Sequence, residues 1–284
     1  MLYGNENSPL KRLYKKGNRN LRGIAKSDVA ETLVSVLAEG ARSKDTIVAV
    51  IEAIADTSIY YENALKFTQM GVMKDLVRFI TESQDFRSYV VHISIEAIWN
   101  LIEVVGQESI DSLASDTEAV LSLRVPFERV IKEGYKYDDK CLRNEFAVLI
   151  NYIATSLSSH QAFLEKDSRT GSDLSFLEFL IKNVIHDEVS SNAGGVAKKY
   201  HLTTKDEDIE LKKLLFTGIL YLVRDPKNLQ AHQTIIDTGF IRAVLQFLDP
   251  NTTSSSILRY QPAQLQELQI HILSLLTNII PLIP

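Results

Sequence analysis

One pattern occurs twice in this chain. Residues 67–80 read FTQMGVMKDLVRFI, and residues 235–248 read IIDTGFIRAVLQFL. Gly71 aligns with Gly239, Leu76–Val77 with Val244–Leu245, and Phe79–Ile80 with Phe247–Leu248. After a polar loop, each copy runs into a long apolar segment, HISIEAIWNLIEVV at 92–105 and LQIHILSLLTNIIP at 268–281. The two glycines lie 168 residues apart, about four units of ~42, a period typical of stacked helical repeats. A unit of that size cannot bury its own apolar face, so its neighbours must bury it.

Around the two copies, apolar residues recur at helical spacing. A helix is predicted over about 27–39, capped by Ser27 and stopped at Gly40, with Val29, Leu33, Val36 and Leu37 inward. Ile47, Val48, Ile51 and Ile54 mark a second at about 44–56, and a third at 60–70 ends at Gly71. A fourth, at 72–82, turns Val72, Leu76, Val77 and Phe79–Ile80 inward. In 88–105 apolar residues cover nearly every face, which predicts burial all round. Ser115-Asp116-Thr117-Glu118 reads as a capping box, opening a helix to about 132 that Pro126 kinks or breaks and Gly134 ends. A long helix follows at about 138–157, and two short ones share 161–183 around the turn at 168–173. Thr204-Lys205-Asp206-Glu207 is a second capping box, before a helix closed by Pro226. Helices at about 228–238 and 240–248, a Thr/Ser-rich loop at 251–260, and a helix from about Pro262 to 280 complete the chain.

No strand-like alternation with hairpin turns interrupts this series. The predicted fold is all-α, an armadillo/HEAT-like α-solenoid (α-α superhelix) of about five irregular repeats over residues 26–284. A loop insertion is expected at 186–205, and residues 1–25 are read as a basic, poorly ordered N-terminal segment. The apolar ending NIIPLIP lacks the polar cap such stacks need, which suggests a piece of a longer solenoid or cover from another chain.

Composition narrows the functional classes. With 45% apolar and 24% charged residues the chain reads as neither a membrane protein nor mostly disordered, and IIPLIP is too short to span a bilayer. The start, MLYGNENSPLKR, has no apolar core of a secretory signal. The lone Cys141 excludes an internal disulfide and a Cys-based zinc knuckle, and fits a reducing compartment. The net charge of −5 conceals an asymmetry. Lys11, Arg12, Lys15, Lys16, Arg19 and Arg22, against Glu6, give residues 4–23 a balance of +5 and leave the remainder near −10. Such a tail can meet a polyanion, whether nucleic acid, anionic lipid or an acidic protein tail, or can be a solvated terminus. One short basic run is thin support for a nucleic-acid binder.

Motifs that carry catalysis are missing. No two of the six histidines sit at i,i+4, and there is no HExxH, GxxxxGK[ST], GxGxxG or GxSxG. Gly194-Gly195 with Lys198–Lys199 faintly resembles a phosphate cradle but reads better as a flexible insertion. Cys141, near Lys140 and Arg143, could have a lowered thiol pKa; with no histidine near in sequence, a packed thiol is the better reading. Asp138–Asp139 and Asp206–Glu207–Asp208 stand at helix starts, where the dipole accounts for them. Trp99 is either core packing or a groove residue whose indole touches a peptide. Position 103, which would complete a W-x-x-x-N pair, is Glu103, and this argues against nuclear-signal binding. No cofactor or metal is expected.

Four segments together carry a family resemblance: SIEAIWNLIE (94–103), YDDKCLRNEFAVL (137–149), DIELKKLLF (208–216) and QELQIHILSLL (266–276). In their order and spacing, and in the charged residues set among them, they resemble the family of cilia- and flagella-associated protein 69, from about residue 60 to the end. The resemblance implies an armadillo-type, non-enzymatic scaffold of motile cilia, belonging to projections on the central microtubule pair, with chains that continue past this one. It implies axonemal and central-apparatus proteins as partners, with no membrane; acidic tubulin tails could meet the basic N-terminus. The expected contacts on the inner helical face are Trp99, Asn100, Glu103, Arg143 and Asn144, with Arg143 equally readable as a structural residue bonding helix-end carbonyls. A soluble transport or signalling adaptor of the same fold is the alternative.

Overall fold

The computed structural model describes residues 19–40, 43–134, 136–166, 173–189 and 203–282 of the chain. In chain order its helices form five triplets. The first comprises a 3-10 helix (Arg19–Lys26), α1 (Val29–Glu39) and α2 (Lys44–Thr57). The second is α3 (Tyr61–Gln69), α4 (Val72–Glu82) and α5 (Tyr89–Val105). The third is α6 (Gln107–Ala114), α7 (Thr117–Glu133) and α8 (Tyr137–Thr155), and the fourth α9 (His160–Leu164), α10 (Phe176–Val189) and α11 (Asp206–Val223). The fifth is α12 (Leu229–Asp237), α13 (Phe240–Leu245) and α15 (Pro262–Ile279), with the one-turn α14 (Ser255–Leu258) inserted before the last. Among the described residues the only β pairing is an isolated bridge between Lys166 and Ser175. The fold class is the expected all-α armadillo-type solenoid.

The chain divides into two compact units, residues 1–119 and 120–284. In the first, α5 packs along α2 and against α3 and α4, while α6 closes over α3, α4 and α5. In the second, α11 packs on both α8 and α15 and also touches α10. The third helices α5 and α11 thus pack against neighbours on more than one side. In α5, Val90, Val91, Ile93, Ile95, Ile98, Leu101 and Ile102 are buried, as the all-round apolar pattern required.

The repeated sequence pattern codes a repeated turn. Gly71 and Gly239 both adopt left-handed backbone, with φ of 76° and 66°. Their N–H groups donate to Thr68 O and Ile236 O, each at 3.0 Å. The paired positions Phe67 and Ile235, Val72 and Phe240, and Leu76 and Val244 are all buried. A side chain in this conformation is strained, which is why glycine stands in both copies.

Several local expectations are corrected. The buried stripe of α1 is Ala30, Val34 and Leu37, whereas Val29 is 47% exposed. Helix α6 was not anticipated in the stretch after Gly106. The cap of α7 is Asp116 and not Ser115: Asp116 Oδ1 accepts from Ala119 N–H at 3.0 Å, and the Ser115 hydroxyl donates to Ser112 O. Helix α7 runs through Pro126 without a break. Thr204 does not cap α11; Thr203 instead gives its N–H and hydroxyl to Asp208. The 3-10 helix at 19–26 occupies the end of the stretch read as irregular, and Asn63 fastens it by donating to Leu21 O at 2.7 Å and accepting from Ala25 N–H at 2.9 Å. Helix α10 continues to Val189, so the expected insertion at 186–205 begins helical. Its stretch 190–202, with Gly194 and Gly195, lies outside the described residues, as does 168–172 of the expected turn.

Candidate protein-docking surface

In the first unit, α5 brings Trp99, Asn100 and Glu103 to one side of a helix whose remaining faces are buried. Trp99 is half-buried, so it is not simply core, and its Nε1 donates to Glu103 Oε1 one turn on at 3.2 Å. Asn100 behaves differently, donating its amide to Ala55 O on α2 at 3.1 Å. At the start of the same helix the Tyr89 hydroxyl donates to Glu52 Oε1 at 2.7 Å. Burial pushes the Tyr89 phenol well above its ordinary value, and the negative charges of Glu52, Glu96 and Asp56 add to the effect. The α2–α5 face therefore joins two aromatic rings to several carboxylates. A surface of this kind can hold a cationic side chain over the indole while carboxylates attract the rest of a basic segment.

In the second unit, the other expected contact residues are engaged within the fold. Arg143 is 2% exposed; its guanidinium donates to Gly134 O at 3.2 Å and to Glu207 O at 3.2 Å, and it forms an ion pair with Asp208 Oδ1 at 2.9 Å. Asn144 donates to Glu207 O at 2.8 Å and accepts from Arg143. Asn151, one further turn pair along α8, donates to Leu214 O at 2.9 Å. Of the two readings of Arg143, the structure realises the one that bonds helix-end carbonyls. The clasp between α8 and α11 centres on Asp208, which also accepts from Lys140 Nζ at 2.6 Å. Burial lowers the Arg143 pKa against the opposing pull of Asp208.

Sequence reasoning missed Lys140 and Asp208, because three acidic residues at a helix start were fully accounted for by the dipole. A signal was available. Lys140, Arg143, Asn144 and Asn151 form a polar stripe at helical spacing along a helix that is mostly apolar beyond Glu145, a pattern that requires polar partners on a facing element.

Cys141 corrects another expectation. Its thiol is exposed and not packed. Its pKa is raised by partial burial and by Glu145, Glu207 and Asp138, where the neighbouring Lys140 and Arg143 could have lowered it. Of the basic tail, Lys11, Arg12, Lys15 and Lys16 lie outside the described residues. Arg19 begins the 3-10 helix, and Arg22 sets its guanidinium 5.2 Å from the centre of the Tyr60 ring. Among the described residues, no three His, Cys, Asp or Glu side chains gather as a metal site, and no helix is long and apolar enough to cross a membrane.

Comparison with known proteins accounts for this architecture. The family model described as "Cilia- and flagella-associated protein 69, ARM repeat" matches residues 6–284, so the likeness reaches well ahead of residue 60. Curated proteins named "Cilia- and flagella-associated protein 69" from Homo sapiens, Papio anubis and Mus musculus are each 30% identical over 190 residues. That alignment covers 67% of this chain and 19% of each relative, so the chain matches about a fifth of their length. The chain belongs to the armadillo-repeat family of cilia- and flagella-associated protein 69.

Proposed function

We propose that this chain is a non-enzymatic scaffold segment of the motile-cilium axoneme, working in a projection of the central microtubule pair. The observation that carries the reading is membership of a family whose relatives are named for cilia and flagella. Partner proteins dock on the helical surface, and the α2–α5 face is the first candidate, with Trp99 as aromatic anchor beside Glu103. Its carboxylates favour a basic partner segment and set the orientation of encounter more than the final affinity. Asn100, Arg143 and Asn144 serve docking indirectly, by fixing the helices that display the surface. The basic residues from Lys11 to Arg22 reach acidic tubulin tails or an acidic neighbouring protein.

The test is fractionation of motile cilia carrying a tagged chain. Detergent and then salt extraction should leave the tag with the axoneme, and axonemes that lack the central pair should lose it. Release into the detergent-soluble fraction would overturn the axonemal reading in favour of a soluble transport or signalling adaptor. Retention on axonemes without a central pair would overturn the finer placement alone.

A further inference from the structure

The α2–α5 face is acidic along its length. On α5, Tyr89, Glu96, Trp99 and Glu103 follow one another at helical spacing, and Glu52 and Asp56 lie one turn apart on α2. The charges of Glu52, Glu96 and Asp56 all reach the Tyr89 hydroxyl, whose pKa burial has already raised. Asn100, bonded to Ala55 O, ties the two helices together beside Asp56. Helix α5 contains no lysine or arginine, and α2 only Lys44 at its start. Residues 11–19 are the reverse. They carry Lys11, Arg12, Lys15, Lys16 and Arg19 and no acidic residue. Their attachment to the first unit is fixed beside the same face. The Asn63 amide donates to Leu21 O at 2.7 Å and to Thr57 O at 3.1 Å, so the chain at residue 21 is held against the end of α2, one residue past Asp56.

Reach and tethering both favour this segment over a free one. Ten residues separate Lys11 from Leu21 and span up to about 33 Å when extended. Tyr89 and Glu103 are about 21 Å apart along α5, so the segment is long enough to run the length of the face. Being tethered, it also meets the carboxylates at a high effective concentration. We infer that residues 11–19 of this chain are the first occupant of the α2–α5 face, their basic side chains paired with Glu52, Asp56, Glu96 and Glu103 and one of them over the Trp99 indole. The inference rests on the docking reading of this face given above and adds its regulation. A basic partner segment has to displace the chain's own, and an acidic partner that takes the segment opens the face.

Trp99 is the single tryptophan of the chain, so its fluorescence reads this face alone. In the full 284-residue chain, Lys11→Ser, Arg12→Ser, Lys15→Ser and Lys16→Ser together should strip Trp99 of protection from acrylamide quenching. A peptide copying residues 9–20, added to that variant, should restore the protection saturably. Glu52→Gln with Glu96→Gln should weaken this binding on the order of tenfold. Thermal unfolding checks each fold, and if the face variant fails to fold, the comparison of wild type with the tail variant still decides. Equal quenching of those two chains would overturn the inference: if the peptide still binds in trans the docking reading stands, and if it does not, both fail. Peptide binding indifferent to the two lost carboxylates would overturn it as well. So would protection that grows with protein concentration, because the occupant would then be the segment of a second copy.

Discussion

Lys140 Nζ lies 2.6 Å from Asp208 Oδ2, bonding two buried groups 68 residues apart in sequence. Arg143 completes the cluster on Oδ1 at 2.9 Å. Breaking a buried ion pair from one side leaves an uncompensated charge, at a cost of about 3–5 kcal/mol. Asp208→Asn removes the anion that two buried cations share and should lower the urea midpoint of the second unit accordingly. Arg143→Lys should also destabilise, because an ammonium cannot span Gly134 O, Glu207 O and the carboxylate together. An unchanged midpoint for Asp208→Asn would mean that the cluster contributes no stability.

The pH dependence follows from the same groups. Burial raises the Asp208 carboxyl, but hydrogen bonds from Lys140 and Thr203 and the charge of Arg143 outweigh it, leaving the pKa below the ordinary 3.8. A carboxylate lowered in the folded state contributes stability that is full above the unfolded value and lost as pH falls through the folded one. Its loss therefore belongs below about pH 4. Burial depresses His160 below 6.5 despite the hydrogen bond to Ala154 O, so the unfolded chain gains that proton first as pH falls. Its contribution is full above roughly pH 6.5 and declines below it. Stability profiles of wild type and His160→Gln should diverge above pH 6.5 and converge below it; those of Asp208→Asn should converge with wild type only under about pH 4.

What sequence reasoning reached, and what it missed, divides along a physical line. Periodicity and turn residues report which stretches are helical, and Gly40, Gly71 and Gly239 act as stops for the local reason that they need positive φ. The face a helix buries is a tertiary property. In α1 the repeat of Val29, Leu33, Val36 and Leu37 fitted one stripe, but neighbouring helices select Ala30, Val34 and Leu37. Capping boxes failed for a related reason. Ser115 and Thr204 satisfied the pattern, but Asp116 caps α7 one residue on, and α11 starts after Lys205 with no side-chain cap at all. The candidate site mixed two roles that one helical stripe cannot separate: Trp99 and Glu103 bond along the α5 surface, whereas Asn100, Arg143 and Asn144 bond the carbonyls of neighbouring elements.

Gly218 offers a test of those interhelix amide bonds. It lies inside α11, where alanine would favour the helix by roughly 1 kcal/mol. A Cβ at this position would clash with Asn151 Oδ1, on the side chain whose amide holds Leu214 O. Gly218→Ala should therefore displace Asn151 and destabilise the chain, reversing the propensity gain, by about 1–3 kcal/mol for the lost buried hydrogen bond. In the double variant with Asn151→Ala the clash is relieved, so the two effects should be clearly non-additive in a denaturant-unfolding cycle. A stabilised Gly218→Ala would show that the α8–α11 contact yields freely.

Cys141 gives the last prediction, on reactivity. Its exposure lets reagents reach it in the folded chain, but partial burial, Glu145, Glu207 and Asp138 raise its pKa above 9.0. Only the thiolate attacks an alkylating reagent, so accessibility and reactivity part company here. Iodoacetamide should modify the folded chain at neutral pH more slowly than a free cysteine, with a rate that keeps rising beyond pH 9. Glu145→Gln combined with Glu207→Gln removes two of the negative charges and should speed the reaction at pH 8 while leaving exposure alone. Asp138 should then account for part of what retardation persists, and adding Asp138→Asn should speed it again. A rate that levels off below pH 8.5 in the wild-type chain would contradict the raised pKa and return Lys140 and Arg143 as the controlling charges.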